Sequence, residues 1–320
     1  MVEGGARAVL LLGPTGAGKS DLAMQLAREL PCEIVSVDSA QVYRGMDIGT
    51  AKPTAEERRQ VPHHLLDLRE PEERYSAGEF RGAALDAIAD IHSRGRVPLL
   101  VGGTMLYFRA LLHGIATLPP ADVDVRRRID ARAALEGWPA LHAELARLDP
   151  DSGQRVHPHD AQRIQRALEI LELSGSARGQ LWRSADDARR LTRAFAISVV
   201  PGDRHVLHDR LEIRFRQMLE AGLRAEVEAL HSRPGLTADH PSMRAVGYRQ
   251  LWEFCDRSVT FDDACTAAVA ATRQLAKRQM TWLRGNLTQP AGETLTLDPQ
   301  NGQCYELLRQ AVNDWLQRVV

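Results

Sequence analysis

At 320 residues the chain is long enough to bury a large core, and its length suggests about two domains. A formal charge of -1 argues against a uniformly basic nucleic-acid binder, while leaving room for a local basic surface. No apolar run approaches the ~18 residues that span a bilayer, and the opening Met1–Arg7 leads straight into an apolar stretch with no room for a signal peptide, so a cytoplasmic protein is expected.

The apolar run Val9–Leu12 predicts a short buried strand. It feeds Gly13-Pro-Thr-Gly-Ala-Gly-Lys-Ser20, after which Leu22, Leu26 and Leu30 recur at helical spacing. Strand, glycine-rich turn and helix are the context that a P-loop requires. Gly13 and Gly18 free the backbone so that successive N–H groups and the helix N-terminus converge on an anion. The candidate phosphate cradle is therefore Gly13, Pro14, Thr15, Gly16, Ala17, Gly18, Lys19 and Ser20, with Lys19 adding a point charge and Ser20 a Mg²⁺ ligand. The pattern implies a bound polyphosphate and leaves its identity open.

A second apolar run, Glu33–Val37, ends in Asp38-Ser-Ala-Gln-Val-Tyr-Arg44. Ligands of parallel sheets sit beyond the carboxyl ends of the strands, so topology alone lands Asp38 beside the P-loop. A carboxylate there points to a metal or a reacting proton. Residues 45–80 read as a long irregular loop over the ligand edge, containing Gly49–Pro53 and Val61–Leu65. His63 and His64 are adjacent on an extended segment and point to opposite faces, which favours local hydrogen bonding over a metal. A helix over 78–93 precedes Val97–Val101, the third buried strand, which runs into Gly102-Gly-Thr-Met-Leu-Tyr107 and a helix ending near Gly114. This second glycine-rich junction brings the Thr104 hydroxyl close to Asp38 and Lys19.

From Pro119 to Arg193 the composition turns to helix formers and arginine, with helical spacing over 122–135, 138–148 and 161–174, which predicts a helical insertion. Its last helix carries Gln162–Arg166, with Gln162 and Arg166 on one face. Phe195–Val200 predicts a strand returning to the sheet. A helix with Arg204, Arg210, Arg214 and Arg216 follows, then a break at Gly222 and a helix to Ser232. Pro241–Arg249 reads as a loop entering a helix, with Arg244 and Arg249 flanking Gly247. No acidic residue occurs from Ala264 to Gly292, and a helix beginning near Asp263 places Arg273, Lys277, Met280 and Arg284 on one side, with Thr281 and Trp282 interleaved. That mixture suits phosphate and base contacts. A final amphipathic helix over 304–319 packs on the core. The dispersed Cys32, Cys255, Cys265 and Cys304 form no Cys-x-x-Cys and suggest neither a disulfide framework nor a zinc site. Lysine occurs only at Lys19, Lys52 and Lys277, a hint of chemistry at these places.

Gly13–Ser20, Asp38–Arg44, Gly49–Pro53, Val101–Thr104, Arg244–Arg249 and Lys277–Arg284 together resemble the bacterial tRNA dimethylallyltransferases, and the blocks run in the family's order along nearly the whole chain. The resemblance implies an α/β fold similar to nucleotide kinases: a P-loop parallel sheet flanked by helices, carrying a helical insertion domain. Residues 1–118 and 195–320 would form the catalytic core with its C-terminal helices, and 119–194 the insertion that contacts tRNA. The implied reaction uses Mg²⁺ and moves a dimethylallyl group from dimethylallyl diphosphate to the exocyclic amine of the adenosine 3′-adjacent to the anticodon. The expected partners are the tRNA anticodon loop and dimethylallyl diphosphate, without a membrane, and the expected state is a monomer.

On this reading the P-loop stabilises charge growing on the diphosphate leaving group, which Lys19 and a Mg²⁺ on Ser20 activate. Adenine's amine must lose a proton on attack, so Asp38 is the expected general base, and Thr104 orients the amine or a diphosphate oxygen. Arg214 is the expected diphosphate clamp, with Arg210 one turn away. A flipped base has to be held together with its loop. The residues assigned to that task are Asp38, Ser39, Ala40, Gln41 and Thr104 around the base; Arg126; Gln162, Arg163, Ile164, Gln165 and Arg166; Arg244, Ala245, Val246, Gly247, Tyr248 and Arg249; and Lys277, Arg278, Gln279, Met280, Thr281, Trp282, Leu283 and Arg284. Three other readings stay open. An ATP-dependent small-molecule kinase would use the same loop; prenylation of free AMP or ADP would leave the insertion and the basic helix without a purpose; a nucleotide-switched RNA-binding module would give Asp38 no task.

Overall fold

The computed structural model describes residues 6–114, 118–175, 191–285 and 292–319. Contacts divide the chain into two units, Met1–His113 with Arg190–Val320, and Gly114–Arg189. In the larger unit six parallel strands, β1 (Ala6–Leu12), β2 (Cys32–Val37), β3 (His63–His64), β4 (Val97–Gly102), β5 (Leu191–Val199) and β6 (Gly292–Leu297), form one sheet in the order β3-β2-β4-β1-β5-β6.

Side chains of β1 alternate between two cores, as the pleat demands. Ala8, Leu10 and Leu12 pack with Phe80, Ala84, Ile88 and Phe108 of helices α3 (Ala77–Ser93) and α4 (Met105–His113). Val9 and Leu11 pack with Ala23 and Leu26 of α1 (Lys19–Glu29) and with Leu308, Val312 and Trp315 of the C-terminal helix (Cys304–Val319). Burial on both faces is why the strand reads as an unbroken apolar run, and each large side chain so buried contributes about 1.5–3 kcal/mol. No helix among the described residues is long and apolar enough to cross a membrane.

Residues 45–80 are more regular than expected. Thr54 and Glu57 close a capping box on the short helix α2 (Ala55–Gln60), and β3 pairs His63 and His64 with Ile34 and Val35. The two histidines make local hydrogen bonds, His63 Nδ1 lying 2.8 Å from the Val61 carbonyl and His64 Nε2 2.8 Å from the Glu33 carboxylate. β6 was not anticipated because only Leu297 of its six residues is buried, so it carries little apolar pattern. β5 starts at Leu191, four residues ahead of the Phe195 start expected for the returning strand, and the sheet resumes sooner than the 119–194 boundary implied.

The smaller unit packs α5 (Val123–Glu136), α6 (Trp138–Leu148), α7 (Pro150–Arg155) and α8 (Ala161–Ser174) around Val125, Ile129, Leu141, Leu145, Ile164 and Leu168. Returning to the larger unit, α9 (Arg204–Glu220), α10 (Leu223–His231), α11 (Tyr248–Cys255) and α12 (Phe261–Arg284) gather around Phe215, Val227, Tyr248, Trp252 and Ala268.

Candidate active site

The parallel register brings three strand ends together, with Gly102 level with both Leu12 and Val37. The close approach fixes the residue type, because a Cβ on Gly102 would lie 2.0 Å from the Val37 carbonyl oxygen. From β1 the chain turns through the P-loop, where Gly16 and Gly18 have φ of +80° and +82°, a left-handed backbone that favours glycine. Lys19 folds back to donate to the Pro14 carbonyl at 2.7 Å. Arg214 of α9 reaches over the same loop, its Nη1 donating to Thr15 Oγ1 at 3.3 Å, whereas Arg210 is exposed. Burial, and then the charge of Arg214, pull the Lys19 ammonium down to about 7 against the attraction of Asp38. Burial likewise holds Arg214 below the usual arginine value, with Asp38 and Asp21 opposing. Two cations held against burial at one loop are short of negative charge, which makes the loop a candidate anion site.

At the end of β2, Asp38 Oδ1 accepts the N–H groups of Ala40 at 2.8 Å and Gln41 at 3.4 Å, which fixes the carboxylate in its turn. Its Oδ2 has no hydrogen-bond partner among the described residues. Thr104, following β4, accepts the Ser39 N–H on Oγ1 at 3.1 Å and donates its own N–H to the Val37 carbonyl at 3.2 Å. Asp38, Ser39 and Thr104 thus form one rim beside the P-loop.

The neighbouring loop corrects the expectation for Gln41. Its Nε2 donates to the carbonyls of Thr50 and Ala51, both at 3.2 Å, and its Oε1 accepts the Ser36 hydroxyl at 2.8 Å. The amide braces the loop instead of standing ready to read a base. Lys52 is also structural: its fully buried ammonium donates to the Tyr43 carbonyl at 2.7 Å, Asp47 Oδ1 at 2.6 Å and Asp67 Oδ1 at 2.7 Å, which uses all three of its donors. Across from it, Glu226 of α10 accepts the N–H groups of Asp47, Ile48 and Gly49 at 2.9, 2.8 and 3.2 Å and the hydroxyl of Tyr248. Tyr248 is fully buried, so its side chain serves as a loop anchor.

The basic helix α12 divides by face. Lys277, Arg278, Thr281, Trp282 and Arg284 are exposed, Met280 is half-buried, Leu283 packs against the core beside α3 and α4, and Arg273 pairs with Glu212 at 2.8 Å. Gln279 is buried and turned inward: its Oε1 accepts the Thr15 N–H and its Nε2 donates to the Gly103 carbonyl, each at 2.9 Å. It joins the two glycine-rich turns and is turned away from the exposed Lys277. In the Arg244–Arg249 stretch both arginines are exposed, Ala245 and Val246 are half-buried and Gly247 is buried.

In the smaller unit, Gln162 and Arg163 are exposed, whereas Ile164 is fully buried in the unit's core and Gln165 donates to Asp130 at 2.6 Å. Arg126 and Arg166 are tied to the fully buried Glu169, Arg126 through Nε and Nη2 at 2.9 and 3.0 Å, Arg166 through Nη1 at 2.6 Å. Their guanidinium groups hold this unit together, which accounts for them without RNA.

The fold has counterparts among known proteins. The family model described as IPP transferase matches residues 41–286. The chain belongs to the IPP transferase family. A tRNA dimethylallyltransferase of Aromatoleum aromaticum is 58% identical over 277 residues, covering 87% of each chain, and one of Nitrosococcus oceani is 54% identical over 277 residues, covering 87% of this chain and 88% of that one. Among solved structures, the full-length tRNA isopentenylpyrophosphate transferase from Bacillus halodurans is 36% identical with a TM-score of 0.68, covering 98% of both chains. A eukaryotic dimethylallyltransferase crystallised acting on tRNA is 26% identical with a TM-score of 0.82, covering 98% of this chain and 80% of that one. The P-loop of this IPP transferase lies upstream of the residues matched by the family model. Its place in the site rests on the geometry above. Glu226 escaped the sequence reading because nothing in a chain of ordinary carboxylates distinguishes the one that meets a backbone turn 177 residues away.

Proposed function

We propose that this IPP transferase moves a dimethylallyl group from dimethylallyl diphosphate to N6 of the adenosine 3′-adjacent to the anticodon in tRNA, releasing diphosphate. The observation that carries this reading is a proton acceptor, Asp38, held in the same rim as Thr104 beside a cationic P-loop. The bond between the allylic carbon and the diphosphate oxygen breaks as N6 attacks that carbon. The growing charge on the diphosphate is met by P-loop N–H groups, Lys19 and Arg214, while the N6 proton passes to Asp38 Oδ2. Thr104, through its hydroxyl, orients the amine.

Among the described residues no group of three histidines, cysteines or carboxylates could hold a metal. The exposed hydroxyl of Ser20 at the start of α1 is a hard oxygen of the kind Mg²⁺ accepts when phosphate oxygens and water complete its shell. Bound there, Mg²⁺ would neutralise charge on the leaving diphosphate. The working unit in this reading is a cytoplasmic monomer.

Incubation with radiolabelled dimethylallyl diphosphate, Mg²⁺ and unmodified tRNA should label the tRNA. Equal labelling of AMP, or phosphoryl transfer from ATP in a parallel reaction, would replace this reading with one of its rivals. RNA affinity is assigned to the exposed groups of α12. Lys277→Ala should therefore weaken tRNA binding across all tRNA sequences and reduce the slope of log Kd against log salt by about 1. An unchanged salt slope, measured by filter binding, would remove Lys277 from the interface.

A further inference from the structure

The inward face of α12 carries a polar group that an RNA-binding helix does not need. Gln279 is 8% exposed, although Lys277 and Arg278 immediately before it are exposed. Its amide is used at both ends, the oxygen on the Thr15 N–H of the P-loop and the nitrogen on the Gly103 carbonyl of the second glycine-rich turn, each at 2.9 Å. The packing around it is close: a Cβ on Gly103 would lie 2.4 Å from Gln279 Nε2 and 3.3 Å from the Gly13 carbonyl oxygen. Thr15 itself carries Arg214 on its hydroxyl at 3.3 Å. Gly103 immediately precedes Thr104, whose hydroxyl holds the Ser39 N–H beside Asp38.

We infer that Gln279 is a positioning residue for the transfer: one side chain sets the diphosphate cradle and the Asp38–Thr104 rim in register, so the leaving group and the proton acceptor are held at a fixed separation. The inference rests on the function proposed above. A side chain that only filled space would need neither hydrogen bond. Here the Thr15 amide and the Gly103 carbonyl, which belong to different turns, are joined through a single planar amide. Loss of that bridge lets the turns shift independently, and misplacement of reacting groups by fractions of an ångström is costly to rate. Because Lys277 lies roughly opposite on the same helix and Arg278 is exposed, the change leaves the exposed basic groups in place.

Two variants test this. In Gln279→Ala both hydrogen bonds are lost. With unmodified tRNA at saturation, kcat should fall and KM for dimethylallyl diphosphate should rise, each by about tenfold or more, while KM for tRNA stays within about twofold of the wild type. Gln279→Glu keeps the acceptor for Thr15 but turns a carboxylate on the Gly103 carbonyl. Protonation converts it into a donor; burial raises the pH at which that happens, and the Lys19 and Arg214 charges at the same loop oppose it. The ratio of Gln279→Glu to wild-type rate should therefore climb as pH falls from about 8.5 to 6, which a space-filling role would not produce. Titration of inorganic diphosphate into the tRNA complex reads the cradle without turnover, and Gln279→Ala should raise its Kd. Unchanged diphosphate affinity in Gln279→Ala, or a Gln279→Glu variant as fast as the wild type at about pH 8.5, where its carboxylate cannot donate to Gly103, overturns the inference. A wild-type protein that binds diphosphate but prenylates no tRNA would instead overturn the function on which it rests, since the titration would still report on Gln279.

Discussion

Asp38→Ala is expected to lower kcat for tRNA prenylation by about 10²-fold or more, with tRNA affinity nearly unchanged. The size follows from the chemistry: adenine's amine is a weak nucleophile, and the positive charge that develops on it during attack is relieved only as the proton leaves. The two oxygens of Asp38 have separate duties. Oδ1 accepts the Ala40 and Gln41 amides at 2.8 and 3.4 Å and holds the turn, which in the proposed reaction leaves Oδ2 for the proton. Asp38→Asn separates those duties, because its side-chain oxygen still caps the turn while its amide has no basicity. Single-turnover assays should find Asn as defective as Ala. Activity restored by Asn would reduce Asp38 to a turn anchor and place the base elsewhere.

The Asp38–Thr104 rim was legible in the sequence because it sits where β-strand topology forces it. Val9–Leu12, Glu33–Val37 and Val97–Val101 announce themselves by apolar composition, and whatever follows each of them opens at one edge of a parallel sheet. Arg214 could be suspected but not separated from Arg210, since both lie on one helix face a turn apart. Only the tertiary structure sets Arg214 on Thr15 and leaves Arg210 exposed. The RNA assignments were too broad for a different reason, which is that consecutive residues of a helix do not share a face. Gln279 lies two positions beyond Lys277, roughly 200° around the helix, and helical geometry alone turns it inward when Lys277 faces out. Ile164 is related to Gln162 in the same way. The partner of Arg166 was also within reach, because Glu169 stands three residues ahead on the same helix. That Arg126 meets the same carboxylate was not, since the pair joins helices 43 residues apart.

Glu169→Ala is expected to destabilise the smaller unit by about 3 kcal/mol. The carboxylate is fully buried and is met by Arg126, Arg166 and the Asp122 N–H, the last at 2.8 Å. Removal leaves two partly buried guanidinium groups facing each other across an apolar interior with no countercharge. Hydrogen exchange in α5 and α8 is the measurement, since it reads this unit separately from the sheet. The pH dependence has a definite sign. Burial pushes the Glu169 carboxyl up, but hydrogen bonds from Arg126 and Arg166 more than offset it and hold it below the usual glutamate range. A carboxyl lowered in the folded state stabilises the protein at every pH above its unfolded value of about 4.3. That contribution disappears as pH falls from there through the lower folded value. The gap in stability between wild type and Glu169→Ala should therefore be constant near neutrality and shrink in acid. The same variant discriminates between the two uses of these arginines. If Arg126 and Arg166 worked chiefly on RNA phosphates, freeing them from Glu169 would strengthen tRNA binding at little cost in stability. If they hold the helices together, exchange protection collapses and tRNA affinity falls with it.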